Sequence, residues 1–264
     1  MPKRIFHPLH VDRLAASCFP GLAGVAAAAL MAAMPSSTEA VTASGPGFGD
    51  FDISVNALDT LPELQKGWLS DAEQFWESRI TGYANKALAD AIGSFDVTAY
   101  AADLGGPGGA LAFGGAGSLT NINETGFATP SLGYMAFDEN DLSRLSRDRF
   151  FSVAVHEIAH ALGFGSRVWI MNGLTEGNED TTYGDGPSTP SFGLSVYRSE
   201  FDPDASFIPI EEDFGPGTAY SHWDEALFGN LLAEPGRETG NPELMTGFLS
   251  SRWTFSDTTL ASFE

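Results

Sequence analysis

The segment from His156 to Gly163 restricts the folds open to this chain more than any other part of it; its sequence is HEIAHALG. Residues four apart lie on one face of an α-helix, so His156 and His160 can bind the same metal ion. Glu157 follows the first histidine directly, at the position from which a carboxylate reaches a water on that metal. The motif therefore predicts a zinc site of the metalloprotease type on a rigid, well-packed helix.

A third metal ligand is expected because a catalytic zinc usually takes three protein ligands and one water. The chain has five histidines: His7, His10, His156, His160 and His222. The first two lie in a predicted leader segment, which leaves His222 as the third ligand. The alternative for His222 is a structural role in the turn Ser221-His222-Trp223.

The amino-acid composition limits which binding partners this protein can have. The formal net charge is −22, from 13 Lys and Arg against 35 Asp and Glu. Such a surface disfavours nucleic acid, whose phosphates require basic side chains. It favours solubility, and it also suits cationic substrates or bound Ca²⁺. Cys18 is the only cysteine, so a disulfide framework is excluded.

Residues 1–43 have the pattern of a secretory signal peptide. Lys3, Arg4 and Arg13 precede an apolar, alanine-rich run, and Val41-Thr42-Ala43 supplies small residues suitable for cleavage. The expectation is a secreted protein, with a periplasmic location or an N-terminal membrane anchor as alternatives. No other segment is apolar and long enough to span a membrane, so the mature chain should have no stable span.

The remainder predicts an α+β fold with one mixed sheet packed on the metal-binding helix. The pattern divides into an N-terminal catalytic subdomain, 44–165, and an irregular C-terminal subdomain, 166–264. Alternation and helical spacing predict the following elements: strands at Phe51–Val55, Asp96–Ala102, Ala110–Phe113 and Ser131–Phe137, a helical segment from Ser70 to Ile92, and a loop from Gly114 to Pro130.

The limits of the metal-binding helix also follow from the sequence. Ser146 or Asp148 can cap its start, and Gly163 can end it in the left-handed conformation. An apolar stripe should face the sheet; it consists of Phe151, Val155, Ile158 and Leu162.

The motif His156-Glu157-x-x-His160-x-x-Gly163 resembles that of the metzincin zinc peptidases. Most of that clan has its third histidine three residues after the glycine, where this chain has Ser166. The leishmanolysin family is more similar, because an insertion separates its glycine from a later His-Trp pair. Three segments carry this resemblance: His160-Ala-Leu-Gly-Phe164, Ser221-His222-Trp223 and Glu243-Leu-Met-Thr246.

The resemblance extends loosely over about residues 51–263 and implies a metzincin-like catalytic domain. It implies zinc bound by His156, His160 and His222, and a Met-turn at Met245 beneath the metal. Leishmanolysins are rich in disulfides, so this chain is more similar to their short bacterial relatives. The function implied is a secreted zinc endopeptidase acting on polypeptides, with Glu157 as general base.

Alternatives remain open at the sequence level. Gly177 to Gly184 resembles the aspzincin motif, in which Asp180 would be the third ligand. The carboxylates of this region could instead bind Ca²⁺ or simply be solvated; they are Glu176, Glu179, Asp180 and Asp185. A zinc-binding but inactive adhesion module and a zinc hydrolase for a non-peptide amide are the other functional classes.

Overall fold

The computed structural model describes residues 48–121, 127–175, 182–184, 192–215, 217–228, 241–248 and 252–263. The predicted leader, residues 1–43, lies outside these ranges. In the part of the chain that is described, no helix combines the length and apolarity needed to cross a membrane.

A mixed four-stranded sheet forms one layer of the fold. Its strands are β1 (Asp52–Ala57), β2 (Ser94–Ala102), β3 (Ala112–Asn121) and β4 (Ala128–Asp138), in the spatial order β1-β2-β4-β3. β1 and β4 run parallel to β2, whereas β3 is antiparallel to β4. This confirms the predicted α+β class with one mixed sheet and places β3 at an edge.

Three short helices accompany the first strands: α1 (Glu63–Lys66), α2 (Ser70–Glu77) and α3 (Lys86–Ile92). The helical segment predicted from Ser70 to Ile92 is thus two helices rather than one. Gly82 has a φ of 153°, and Tyr83 pairs with Phe48 instead of continuing the helix. Asn85 then starts α3 afresh, since its side chain accepts a hydrogen bond from the Leu88 N–H at 2.9 Å.

The helix predicted to bind metal is α4 (Arg147–Leu162), and its predicted ends are confirmed. Ser146 caps it by accepting from the Arg149 N–H at 3.3 Å. Gly163 ends it at a φ of 116°, a conformation that glycine adopts at least cost. Nearly every side chain between these ends is buried, and α4 packs against β3 and β4.

The prediction of a loop from Gly114 to Pro130 is wrong at both ends of that segment. Its first residues form most of β3, and its last residues form the start of β4. Glycine is needed there because helix and sheet approach closely. A Cβ at Gly114 would overlap the Glu157 carbonyl, and one at Gly133 would lie 2.5 Å from the Ala161 Cβ. The glycines therefore mark helix-to-strand contact rather than a turn.

The described part of the chain after α4 forms only short helices and strands. Its elements are α5 (Ser166–Met171), β5 (Thr182–Tyr183), α6 (Phe192–Glu200), β6 (Ile208–Pro209), α7 (Glu225–Phe228) and α8 (Asp257–Ala261). Aromatic rings hold this part together around Trp223, which contacts Phe164, Trp169 and Tyr183. The predicted boundary at 165/166 stays a prediction.

Candidate metal centre

Three imidazoles meet at a single buried point. His156 and His160 come from one face of α4, and His222 comes from the segment between β6 and α7. Each pair of Nε2 atoms is 3.1 Å apart. The corners of such a triangle lie about 1.8 Å from its centre, slightly less than a Zn–N bond of about 2.0–2.1 Å. The three Nε2 atoms are therefore spaced so that they could hold a zinc ion together.

Backbone carbonyls fix the tautomer of each ring. His156 Nδ1 is 2.7 Å from the Leu244 oxygen, His160 Nδ1 is 2.7 Å from the Phe164 oxygen, and His222 Nδ1 is 2.8 Å from the Thr218 oxygen. A carbonyl only accepts, so each Nδ1 carries the proton and donates it. Every Nε2 therefore presents a lone pair to the other two, an arrangement that a cation stabilises.

Burial keeps these rings neutral. Loss of hydration, reinforced by the neighbouring imidazoles, lowers the pKa of His156 well below its ordinary value. Burial lowers the pKa of His160 to about 4 and that of His222 to about 3. Neutral imidazole is the form that binds zinc, so no proton has to be displaced near neutral pH.

Glu157 lies next to this triad on α4 and is fully buried. Neither of its carboxylate oxygens makes a hydrogen bond with another described residue. Burial raises the pKa of Glu157 well above its usual range, and the Gly114 N–H opposes this shift without meeting hydrogen-bond geometry. A buried carboxyl group without a hydrogen-bond partner is a strong candidate for a catalytic residue.

The path of the chain explains how His222 reaches the helix, although it follows α4 by a long insertion. Glu211 N–H donates to the His222 carbonyl at 2.9 Å, and Tyr220 N–H donates to the Glu211 carbonyl at 2.7 Å. Tyr220 adopts a positive φ of 65° to make this turn. The pairing brings Trp223 alongside Ile210, and the Trp223 ring contacts Phe164 just after the end of α4.

The structure brings together three of the residues predicted for the site, His156, His160 and His222, and Glu157 follows His156 directly on α4. Sequence reasoning missed the carbonyls of Phe164, Thr218 and Leu244, because backbone acceptors leave no mark in residue type. It also missed that the Glu243 carboxylate is buried and accepts from the Met245 N–H. The only signal for Glu243 was an acidic residue directly before an apolar Leu-Met pair.

The rival ligand Asp180 lies outside the described residues, as do Glu176, Glu179 and Asp185. Across the part of the chain that is described, the three histidines are the only group of three or more His, Cys, Asp or Glu side chains close enough to hold a metal ion. The calcium site stays a prediction.

Comparison with known proteins identified one family. The family model of the leishmanolysin peptidases, described as Leishmanolysin (peptidase M8), matches residues 83–264. The match covers more than half of the chain and includes β2 to β4, α4 and all three histidines. A search of curated proteins gave no match. The chain therefore belongs to the leishmanolysin family of zinc-dependent metallopeptidases.

Proposed function

We propose that the chain is a secreted zinc endopeptidase in which His156, His160 and His222 hold the metal and Glu157 is the general base. The observation that carries the proposal is the buried triangle of Nε2 lone pairs, whose mutual repulsion only a cation relieves. Bound zinc would supply a Lewis acid that polarises the scissile carbonyl and acidifies a water molecule.

Glu157 carries the proton transfers in this proposal. Its carboxylate takes a proton from the attacking water, and the oxygen of that water bonds to the carbonyl carbon of the scissile amide. The same carboxyl group then gives the proton to the departing amine as the C–N bond breaks. The raised pKa of Glu157 favours the first of these transfers, since a more basic carboxylate accepts the water proton more readily.

An extended peptide is proposed to bind along β3. Within the described residues β3 pairs only with β4, so its other edge offers unpaired backbone groups. The Arg167 guanidinium donates to the Ala116 carbonyl at 2.7 Å, which occupies one acceptor in the middle of the strand. The part of β3 left open to a peptide is therefore its start, close to the predicted edge strand at Ala110–Phe113. Gly114 lies in this part and is in close contact with the backbone of Glu157.

Beneath the histidines, Met245 is proposed as the Met-turn residue. It is fully buried, and the preceding Leu244 carbonyl accepts from His156 Nδ1. A thioether at this place gives the metal site an apolar floor and takes no part in binding the metal.

The decisive test is zinc stoichiometry of the purified protein, wild type against His222→Ala. One zinc per chain in the wild type, lost or greatly weakened in the variant, is expected. An unchanged zinc content in His222→Ala would mean that the third ligand is Asp180 or another carboxylate rather than His222.

Export is proposed from residues 1–43 alone. N-terminal sequencing of protein collected outside the cells should give a start near Ser44. A start at Met1 on membrane-bound protein would favour the anchor instead.

A further inference from the structure

Glu243 is a buried carboxylate that the proposed mechanism does not use. It is 1% exposed, and no Lys or Arg of the described residues forms an ion pair with it. Its hydrogen bonds come instead from neutral donors: Met245 N–H at 2.5 Å, Ser256 N–H at 3.1 Å, Ser256 Oγ at 3.0 Å and Thr259 Oγ1 at 2.7 Å. Burial raises the pKa of Glu243 to about 7, so the charged form is costly to keep and its hydrogen bonds have to offset that cost.

The donors require a group that accepts on both oxygens. Met245 N–H points to Oε2, whereas Ser256 N–H points to Oε1. Both are backbone donors that cannot turn round. A glutamine at position 243 would place its NH₂ group, which only donates, against either the Met245 N–H or the Ser256 N–H, whichever way the amide is turned. The arrangement is thus specific for a carboxylate.

One line of contacts leads from Glu243 to His156. The bond from Met245 N–H to the Glu243 side chain closes a tight turn over residues 243–245, and Thr246 Oγ1 donates to the Glu243 carbonyl at 3.0 Å. The residue enclosed by this turn is Leu244. Its carbonyl is the acceptor, at 2.7 Å, that fixes the tautomer of His156.

A second line leads to the segment of His222. Trp223 Nε1 is 2.8 Å from Thr259 Oγ1, which is 2.7 Å from Glu243 Oε1. An indole only donates and a carboxylate only accepts, so the hydroxyl must accept from Trp223 and donate to Glu243. In addition, Trp223 N–H donates to the Met245 carbonyl at 3.0 Å. Trp223, the residue next to His222, is therefore held at its indole by Thr259, which bonds to Glu243, and at its backbone N–H by the turn that Glu243 closes.

We infer that Glu243 is a positioning residue of the metal centre, which orients His156 through the Leu244 carbonyl and His222 through Thr259 and Trp223. The inference rests on the proposed function, since it assigns these histidines to zinc. Partners that orient metal ligands commonly change metal affinity by about 10–100-fold when they are removed. A purely structural Glu243 would instead lower stability and leave zinc affinity unchanged in the folded protein.

The test measures the zinc affinity of the full chain by competition with a chromophoric chelator, with folding followed by circular dichroism. Glu243→Gln should bind zinc about 10–100-fold more weakly than wild type at a temperature where both are folded. The matched control is Asp138→Asn. Asp138 is also a fully buried carboxylate, and it accepts from the backbone N–H groups of Leu104, Gly106, Asn140 and Asp141. This control should keep wild-type zinc affinity.

A second pair of variants decides the matter if Glu243→Gln does not fold. Thr259→Val removes the bridging hydroxyl at nearly constant volume, and Thr259→Ser keeps it. Zinc affinity should fall in the valine variant and be restored in the serine variant. Equal affinity in both, or wild-type affinity in folded Glu243→Gln, would overturn the inference. A wild-type chain that binds no zinc would refute the proposed function instead, so the two failures are distinguishable.

Discussion

Glu157 is the residue on which the proposed chemistry depends most directly, because its buried carboxyl group has no partner among the described residues. Glu157→Gln keeps the shape and removes the base. Peptide hydrolysis should fall by about 10²–10⁴-fold in kcat/KM, while zinc content stays at the wild-type level. A fluorogenic peptide assay together with elemental analysis measures both. Glu139→Gln, the same change on an exposed turn, is the control and should be fully active; retained activity in Glu157→Gln would refute the assignment.

At the scale of residues, the sequence predicts which side chains form the site, but it does not predict the backbone carbonyls that orient them. The spacing of His156 and His160 follows from helix geometry, and His222 follows from counting the histidines left to a third ligand. The carbonyls of Leu244, Phe164 and Thr218 could not be predicted, since any residue type supplies a carbonyl. Their positions depend on the turns at Gly163, Tyr220 and Glu243, which only the folded chain reveals.

At the scale of secondary-structure elements, the first prediction concerns Gly163, the glycine that ends α4. Gly163 has a φ of 116°, and a Cβ there would lie 3.0 Å from Pro130 Cγ. Gly163→Ala should lower the free energy of unfolding by about 1–2 kcal/mol or more, because an L-residue is strained in this conformation. Urea unfolding measures it. Gly67→Ala is the matched control: its φ is −66° and its Cβ would make only ordinary contacts, so stability should be unchanged or slightly higher. An equal effect in both variants would contradict the conformational explanation.

The close approach of β3 and α4 makes a second prediction about elements. Gly114 lies against the backbone of Glu157, and a Cβ there would overlap the Glu157 carbonyl. Gly114→Ala should force strand and helix apart, with a loss of about 1–3 kcal/mol in stability. Activity per bound zinc should fall as well, since Glu157 moves with the helix backbone. Wild-type kcat/KM in this variant would show that the contact has no bearing on catalysis.

These glycines also show why the sequence misplaced two elements. Glycine in a strand and glycine in a loop look alike without the neighbouring helix, so the segment after Gly114 was predicted as a loop. Similarly, the helical spacing from Ser70 to Ile92 continues across Gly82, where tertiary pairing of Tyr83 with Phe48 breaks the helix. Strand β2 and helix α4 were predictable because each has a strong period and clear ends.

On the scale of the whole molecule, the metal centre joins the sheet-backed helix to the irregular C-terminal part. Two of the proposed ligands lie on α4, whereas the third, His222, belongs to a segment held mainly by aromatic contacts of Trp223. The two parts also share one hydrophobic cluster, so the metal adds to an existing contact between them. Zinc should therefore act as a cross-link that stabilises the folded chain.

Removal of zinc measures this cross-link. Since zinc binds the folded triad in preference to the unfolded chain, free zinc at 100 times Kd should add about 2.7 kcal/mol to the free energy of unfolding. A chelator should therefore lower the Tm of wild type, and added zinc should restore it. His222→Ala should show a much smaller difference between its zinc-loaded and chelated forms, because one of the three ligands is missing. An undiminished zinc-dependent shift in His222→Ala would mean that the stabilising ion binds elsewhere, and the cross-link between α4 and the C-terminal part would have to be abandoned.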